Sequence, residues 1–269
     1  MRSGRAFRAA LALALALALG FLLLPVVAIF VDTDPGTLLS ALDDPSARDA
    51  LRLSLECTLA ALAIVVVVGT PAAYLLATRR FRGRATIATL LELPLVLPPA
   101  VAGIALLAAL GPEGLLGGAV AGAGLRLVLS TAGVIVALTF VSAPFYLRQA
   151  QAAFAAVDPR WLDASRTLGA GELRTWLRVA VPAARPGLVT GLALAWGRAV
   201  GEFGATLMFA GSFRGVTQTV PLAIYERFST DFTGALALSA VLVVVSAAVL
   251  LTAKLLAGPE PAAASRAAA

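Results

Sequence analysis

Apolar residues group into six long stretches along this chain. They cover residues 9–31, 53–78, 87–110, 128–147, 187–210 and 234–256. Each stretch is long enough to cross a bilayer core of about 30 Å, which takes about 20 helical residues. Polar and apolar residues do not alternate with a period of two in these stretches, so a transmembrane β-barrel is not expected. The pattern predicts an all-α membrane protein with six transmembrane helices.

The composition supports this class, and the charge distribution orients the helices. The chain is 60% hydrophobic and 13% charged, with a mean hydropathy of +0.93, which is typical of an integral membrane protein. The basic clusters are Arg2 to Arg8, Arg79 to Arg84, Arg148 to Arg185, and Lys254 with Arg266. They fall at alternate ends of the stretches, and excess Lys and Arg marks the cytoplasmic side. We therefore expect a multi-pass membrane protein with both termini in the cytoplasm, and the net charge of +6 does not indicate nucleic-acid binding.

The first stretch begins like a signal peptide, with arginines followed by an Ala-Leu run. Its apolar residues continue to Val31, which is longer than a typical signal-peptide core, so we expect a retained helix. Residues 1–52 are expected to hold this helix and an external acidic segment. Residues 53–256 would form a core of five transmembrane helices, and residues 257–269, rich in Pro and Ala, a disordered cytoplasmic tail.

Several kinds of chemistry are excluded by residues that the chain lacks. It has no His, and Cys57 is its single Cys, so imidazole chemistry and an intrachain disulfide are both excluded. Lys254 is its single Lys, so a GxxxxGK[ST] phosphate loop is missing. We expect no catalytic residues, no metal and no cofactor.

The third stretch contains Pro94, Pro98 and Pro99. Prolines remove hydrogen bonds and bend or break a helix, so a break is expected here. Glu92 lies just before them. It is either solvated near the cytoplasmic end of the span or in polar contact with backbone groups that the prolines free.

The longest cytoplasmic loop, 149–186, predicts two short amphipathic helices. Asp158 and Pro159 are typical of a helix start, and Gly169 of a helix end. Trp161, Ala164, Ser165 and Leu168 share one predicted face, opposite Arg160, Asp163, Arg166 and Thr167. A second helix would begin near Glu172, with Pro182 and Pro186 closing it before the fifth span. Such a pair suits either lipid headgroups or a soluble partner, and the small residues on the first face favour the partner.

The sequence Asp163-Ala-Ser-x3-Gly169-x9-Val179-x-Val-Pro182 resembles the EAA loop, Glu-Ala-Ala-x3-Gly-x9-Ile-x-Leu-Pro. That loop occurs in the inner-membrane permeases of binding-protein-dependent ATP-binding-cassette (ABC) importers, and the four departures from it are conservative. The resemblance covers about residues 51–256. It implies a type I ABC importer permease fold with a cytoplasmic coupling-helix loop. It also implies that a separate ABC ATPase subunit docks on the 159–182 loop and hydrolyses the ATP. The implied coupling residues are Asp163, Ala164, Ser165, Gly169, Val179 and Pro182.

Three segments, 93–99, 201–211 and 217–225, are similar to the molybdate permease branch of this family. The sulfate and thiosulfate permeases share a similar Gly-Glu-Phe/Tyr-Gly segment and remain an alternative. The resemblance implies import of molybdate or tungstate, an extracytoplasmic solute-binding protein as a partner, and a permease homodimer embedded in membrane lipid. A stand-alone secondary transporter is the weaker rival, because Glu92 and Glu202 would be its only intramembrane acids and no inverted repeat is evident.

Arg198 and Glu202 both fall in the fifth predicted span. A charge at mid-helix costs about 2.5–3.5 kcal/mol on insertion scales, and the i, i+4 spacing lets the two side chains pair. The pair is either structural or part of a gate, and the flanking glycines suit a dimer seam. The pathway or gate candidates are Arg198, Glu202, Glu92, Pro98 and Pro99. Neutral donors for an anion are available at Thr206, Thr217, Gln218 and Thr219.

Overall fold

The computed structural model describes residues 2–34, 36–37 and 42–257. Its helices are α1 (Arg2–Val31), α2 (Pro45–Thr78), α3 (Arg84–Val96), α4 (Pro99–Leu110), α5 (Gly117–Gly122), α6 (Thr131–Ala155), α7 (Pro159–Thr167), α8 (Glu172–Val200), α9 (Gly204–Ala210), α10 (Val220–Phe228) and α11 (Phe232–Ala257). Five of them are long and apolar enough to span a membrane alone, and α3 with α4 makes a sixth, bent candidate. This agrees with the six predicted spans. The predicted tail, after Ala257, lies outside the described residues.

Two of the long helices, α2 and α6, begin at polar capping residues, before the apolar stretch or just inside it. The side chain of Asp44 accepts a hydrogen bond from the Ser46 backbone N–H (2.8 Å), and Pro45 occupies the first turn of α2. Ser130 accepts a hydrogen bond from the Gly133 N–H (3.1 Å) at the start of α6. Such caps satisfy backbone donors that lack a partner within the helix. As a result, α2 begins eight residues before the predicted span.

The predicted break in the third span is confirmed. Helices α3 and α4 meet at 117°, and the helix is interrupted between Val96 and Pro99. Helix α4 then packs on α9 at very short range. A Cβ atom added at Gly103 would lie 2.7 Å from the Ala205 carbonyl oxygen, and one added at Gly204 would lie 2.8 Å from the Pro99 Cβ. Only glycine allows the two helices to approach this closely.

Helix α6 is the centre of the fold and lies against both α2 and α8. The largest buried cluster includes Leu62 and Val65 of α2, Tyr146 and Phe154 of α6, and Trp196 of α8. Helix α1, by contrast, packs against α11, and none of its most apolar window is buried within the chain. The five later spans therefore form the packed body of the protein.

The prediction that Pro182 and Pro186 close the second helix of the loop is wrong. Helix α8 continues through both prolines, because Trp176–Ala180 forms a π-turn within it. The Val181 N–H donates to the Trp176 carbonyl, five residues back. The α-helical pattern then resumes with Pro182 in its first turn, where a missing N–H costs little.

The predicted fifth span, 187–210, is not one continuous helix. Helix α8 ends at Val200, three residues without helical structure follow, and α9 begins at Gly204. Glu202 lies in this interruption rather than inside a continuous helix, while Arg198 occupies the last turn of α8. The interruption is functionally interesting because it is built from the segment that resembles the molybdate permeases.

Candidate coupling elbow and pathway residues

The elbow, residues 158–182, consists of α7 and the first turns of α8. As predicted, Asp158 caps α7, where it accepts a hydrogen bond from the Arg160 backbone N–H at 2.9 Å, and Pro159 takes the first helical position. The Arg160 side chain also donates to Asp158 at 2.6 Å. This side-chain hydrogen bond lowers the pKa of Asp158 below its usual value and keeps the cap ionised.

Gly169 ends α7 in the left-handed conformation, with φ at +81°. The Gly169 N–H donates to the Arg166 carbonyl (2.9 Å), and the Ala170 N–H donates to the Ser165 carbonyl (3.1 Å). These two bonds form a Schellman motif. A Cβ at position 169 would meet no atom within 4 Å, so the backbone conformation, and not the space around it, requires glycine.

The inner face of α7 is not the predicted one. Leu162 is the buried residue of this helix and belongs to the main core cluster. The Ser165 and Thr175 hydroxyls are hydrogen-bonded at 3.0 Å, and Thr175 is fully buried. Ser165 therefore faces α8 and joins the two helices, whereas the sequence pattern had grouped it with the apolar residues that face outward.

The outer face of the elbow is apolar and exposed. Trp161 is 57% exposed and Leu168 is 87% exposed, and Ala164 between them is exposed too. Leu173 and Leu177 extend this surface along α8 with half or more of their area exposed. Large exposed apolar residues grouped beside charged ones are typical of a surface that another protein covers.

A chain of ion pairs holds the elbow against the end of α2. Glu172 pairs with Arg79 at 3.1 Å and with Arg166 at 3.5 Å, and Arg166 pairs with Asp163 at 3.0 Å. The side chains are 39–70% exposed, so each pair contributes at most about 1 kcal/mol. The sequence pattern indicates Asp163 as a member of this cluster but not Glu172 or Arg79. An acidic residue in the first turn of a helix is a favourable arrangement and was the available signal.

The last two coupling candidates lie where the elbow joins the membrane part of α8. Val179 is half-buried within the π-turn and packs on the main core cluster. Pro182 is exposed and lines an apolar groove of about 720 Å³ with Trp176, Leu177 and Arg185 among its walls. The structure thus brings all the residues of the motif into one continuous unit.

Arg198 and Glu202 form an ion pair, as their spacing predicts. The Glu202 side chain is only 1% exposed, against 26% for Arg198. Its Oε1 atom accepts a hydrogen bond from the Ala205 N–H at 2.6 Å, which satisfies a free donor at the start of α9. Its Oε2 atom lies against Arg198 without a well-directed hydrogen bond. Glu202 therefore links the end of α8 to the start of α9.

Pro98 and Pro99 lie near this link, but Glu92 is paired elsewhere. Pro98 precedes α4 and Pro99 begins it, and Pro99 contacts Gly204 at the start of α9. Glu92 faces Arg148 at 4.0 Å with almost half of its side chain exposed. Its predicted contact with freed backbone groups is not formed among the described residues, so Glu92 is a solvated partner of α6.

The four neutral candidates are all buried, and they divide into two kinds. Thr217 accepts a hydrogen bond from the Phe213 N–H at 2.9 Å within its own loop, and Gln218 donates to Glu226 of α10. The hydroxyls of Thr206 and Thr219 have no hydrogen-bond partner among the described residues. Within the same residues, no group of three His, Cys, Asp or Glu side chains could hold a metal ion.

Comparison with known proteins agrees with this arrangement. The family model described as "Binding-protein-dependent transport system inner membrane component" matches residues 66–257, which include the elbow, the α8–α9 interruption and four of the spans. The "Molybdenum transport system permease protein ModB" of Mycobacterium tuberculosis is 43% identical over 231 residues, covering 86% of this chain and 88% of the relative.

Two further relatives and one solved structure extend the comparison. The "Molybdate/tungstate transport system permease protein WtpB" of Pyrococcus abyssi is 34% identical, covering 71% of this chain and 72% of the relative. The "Sulfate transport system permease protein CysW" of Synechocystis is 33% identical, covering 84% of each. The fold is similar to that of a chain in a bacterial alginate ABC transporter crystallised with its substrate-bound periplasmic protein. The TM-score is 0.72 at 17% identity, and 94% of this chain and 93% of that chain are covered. On the extent of the family match and of these identities, the chain belongs to the family of inner-membrane components of binding-protein-dependent transport systems.

Proposed function

We propose that this protein is the permease subunit of an ATP-driven importer for molybdate or tungstate. The observation that carries the proposal is the 43% identity to a molybdenum permease over 86% of the chain, supported by the molybdate/tungstate relative. The permease forms the translocation pathway and is not itself an enzyme. ATP is hydrolysed on a separate ATPase subunit, since this chain has no phosphate loop.

The elbow is the surface on which the ATPase docks. Its exposed apolar residues, Trp161 and Leu168, insert into the partner. Leu162 and the Ser165–Thr175 hydrogen bond make the elbow move together with α8. With 29 residues, α8 is about 43 Å long, so displacement at the elbow reaches the opposite end of the helix.

The far end of α8 carries the pathway candidates. The Arg198–Glu202 pair connects α8 to α9, and α9 packs on α4 just after the proline break. Movement of α8 therefore changes the positions of α9 and α4 beside the pathway. Arg198, Glu202, Pro98 and Pro99 act as parts of a gate in this proposal, whereas Glu92 and Arg148 form an exposed pair outside it.

The proposed assembly has two copies of this chain, two ATPases and one extracytoplasmic solute-binding protein. The basic turn at Arg79–Arg84 and the elbow face the cytoplasm, as do both termini, because basic residues are concentrated there. The acidic residues 43–49 face outward with the loop that precedes α10. The crystallised alginate transporter with its periplasmic protein supports partners of this kind.

Sulfate or thiosulfate is the second candidate substrate, favoured by the 33% identity to a sulfate permease. Reconstitution of the permease, its ATPase and its binding protein into vesicles separates the candidates. Molybdate uptake should require ATP and all three components, and tungstate should compete with it more strongly than sulfate does. ATP-dependent uptake of sulfate without uptake of molybdate would assign the chain to the second candidate. Uptake by the permease alone would contradict the importer assignment.

A further inference from the structure

Two adjoining cavities lie where the turn between α2 and α3 meets the elbow. Their volumes are about 380 Å³ and about 600 Å³, and Arg80 and Arg84 line both of them. Arg79, Asp163 and Arg166 line the smaller cavity as well. We call the two cavities together the basic recess.

The arginines of the basic recess are only partly neutralised. Arg79 pairs with Glu172, and Arg166 pairs with Asp163 and Glu172. Arg80 and Arg84 have no ion-pair partner or side-chain hydrogen bond among residues 2–34, 36–37 and 42–257. Two guanidinium groups that line the same cavities therefore remain free to bind an anion.

The position and the walls of the recess suit an amphiphilic anion. Residues 79–83 connect one membrane-spanning helix to the bent span α3–α4, which places the recess at the bilayer surface. Ala77, Phe154 and Leu162 provide an apolar wall beside the arginines. A guanidinium group can donate two parallel hydrogen bonds to the oxygens of one phosphate group. Basic pockets between membrane helices bind anionic lipid headgroups.

We propose that the basic recess binds the phosphate headgroup of an anionic phospholipid, with Arg80 and Arg84 as its ligands. Arg166 and Asp163 of the elbow line the same recess, so a bound headgroup bridges the α2–α3 turn and α7. The lipid thereby holds the elbow in place from the membrane side. None of the pathway candidates lines the recess, so lipid binding there is independent of which anion the permease carries.

The test uses the full-length permease in nanodiscs that contain equal amounts of phosphatidylglycerol and phosphatidylcholine. Native mass spectrometry then measures which lipid stays bound after the disc is removed. Arg80→Gln and Arg84→Gln are compared with Arg82→Gln, which removes the same charge from the same turn but lines neither cavity. Each of the first two variants should lower the preference for phosphatidylglycerol by about fivefold, while Arg82→Gln should keep most of it and Arg84→Lys, which keeps the charge but not the paired hydrogen bonds, should lose less than Arg84→Gln.

Three results would overturn the proposal. The first is an equal loss in Arg82→Gln, which would mean that only the general surface charge attracts the lipid. The second is an unchanged preference in the Arg80→Gln/Arg84→Gln double variant, which would place the lipid elsewhere. In the third, an excess of inorganic phosphate displaces the bound phosphatidylglycerol, which would assign the recess to a soluble anion.

Discussion

Substitution of Gly169 changes the backbone conformation of the elbow without removing any of its side-chain contacts. Gly169 has φ at +81°, and an added Cβ would meet nothing within 4 Å. A Cβ at this position therefore meets no other atom, and the strain that it introduces lies in the backbone conformation. The two hydrogen bonds of the Schellman motif, at Gly169 and Ala170, are the contacts at risk.

The size of the expected effect follows from the free-energy cost of the left-handed backbone conformation. For an L-residue this conformation costs roughly 1–2 kcal/mol. That cost lowers the population of the bent elbow by a factor of about 5 to 30 relative to an unwound one. Valine is worse than alanine because a β-branched residue is a strong outlier at positive φ. Leu162 and the Ser165–Thr175 hydrogen bond still hold α7, so the membrane core should fold normally.

We expect Gly169→Val to insert into the membrane like the wild type and to uncouple transport from ATP hydrolysis. In vesicles that contain the ATPase and the binding protein, the ratio of substrate imported to ATP hydrolysed should fall several-fold. Gly169→Ala should give a smaller fall. Gly169→Asn should come close to the wild type, because asparagine tolerates the left-handed region.

Gly171 supplies a matched control. It lies two residues further along, its φ is −66°, and an added Cβ there also meets nothing within 4 Å. Gly171→Val should therefore keep the wild-type ratio of transport to hydrolysis. Normal coupling in Gly169→Val, or an equal loss in Gly171→Val, would refute the argument that the backbone at Gly169 sets the elbow.

Three further predictions concern orientation, the buried ion pair and helix packing. A cysteine placed at Asp43 should react with an impermeant reagent added outside intact cells, whereas one placed at Arg174 should not; external labelling at Arg174 would reverse the proposed orientation. Arg198→Gln should lower the yield of folded protein more than Glu202→Gln does, because it strands a carboxylate that is 1% exposed, at a cost of about 3–5 kcal/mol. The double Gln variant should recover the yield, and normal expression with normal coupled uptake in both single variants would contradict any role for the pair. Gly103→Ala should lower the Tm in detergent, since its Cβ would lie 2.7 Å from the backbone of α9; an unchanged Tm would show that α4 shifts freely.

Much of the fold was readable from hydropathy and from local signals. The six apolar stretches correspond to the six candidate spans, and the three prolines of the third stretch mark its 117° break. The start of α7 at Asp158 and Pro159 and its end at Gly169 were also predicted correctly. Each of these features depends on residues close together in the sequence: a capping side chain, a proline ring, or a glycine with positive φ. The local sequence is therefore enough to predict them.

Most of the errors occurred where residues of another helix decide the outcome, and the one at Pro182 occurred where a nearby change of helix type does. Pro182 looked like a helix stop, but the π-turn before it lets α8 continue. Ser165 looked like part of the outer face, but Thr175 draws it inward. Glu202 looked like a mid-helix charge, but it lies in an interruption that α4 covers at very short range.

The sequence by itself determined the class of the protein, the number of its spans and the place of its elbow, because hydrophobicity and backbone preference act locally. Only the tertiary structure decided which face of α7 is buried, which arginines of the α2–α3 turn stay unpaired, and how Arg198 and Glu202 are used. Those outcomes depend on the atoms that other helices bring to the site, namely Thr175 for Ser165, Glu172 for Arg79, and Pro99 for Gly204. The residues next to each of these positions in the sequence do not indicate which partner it contacts.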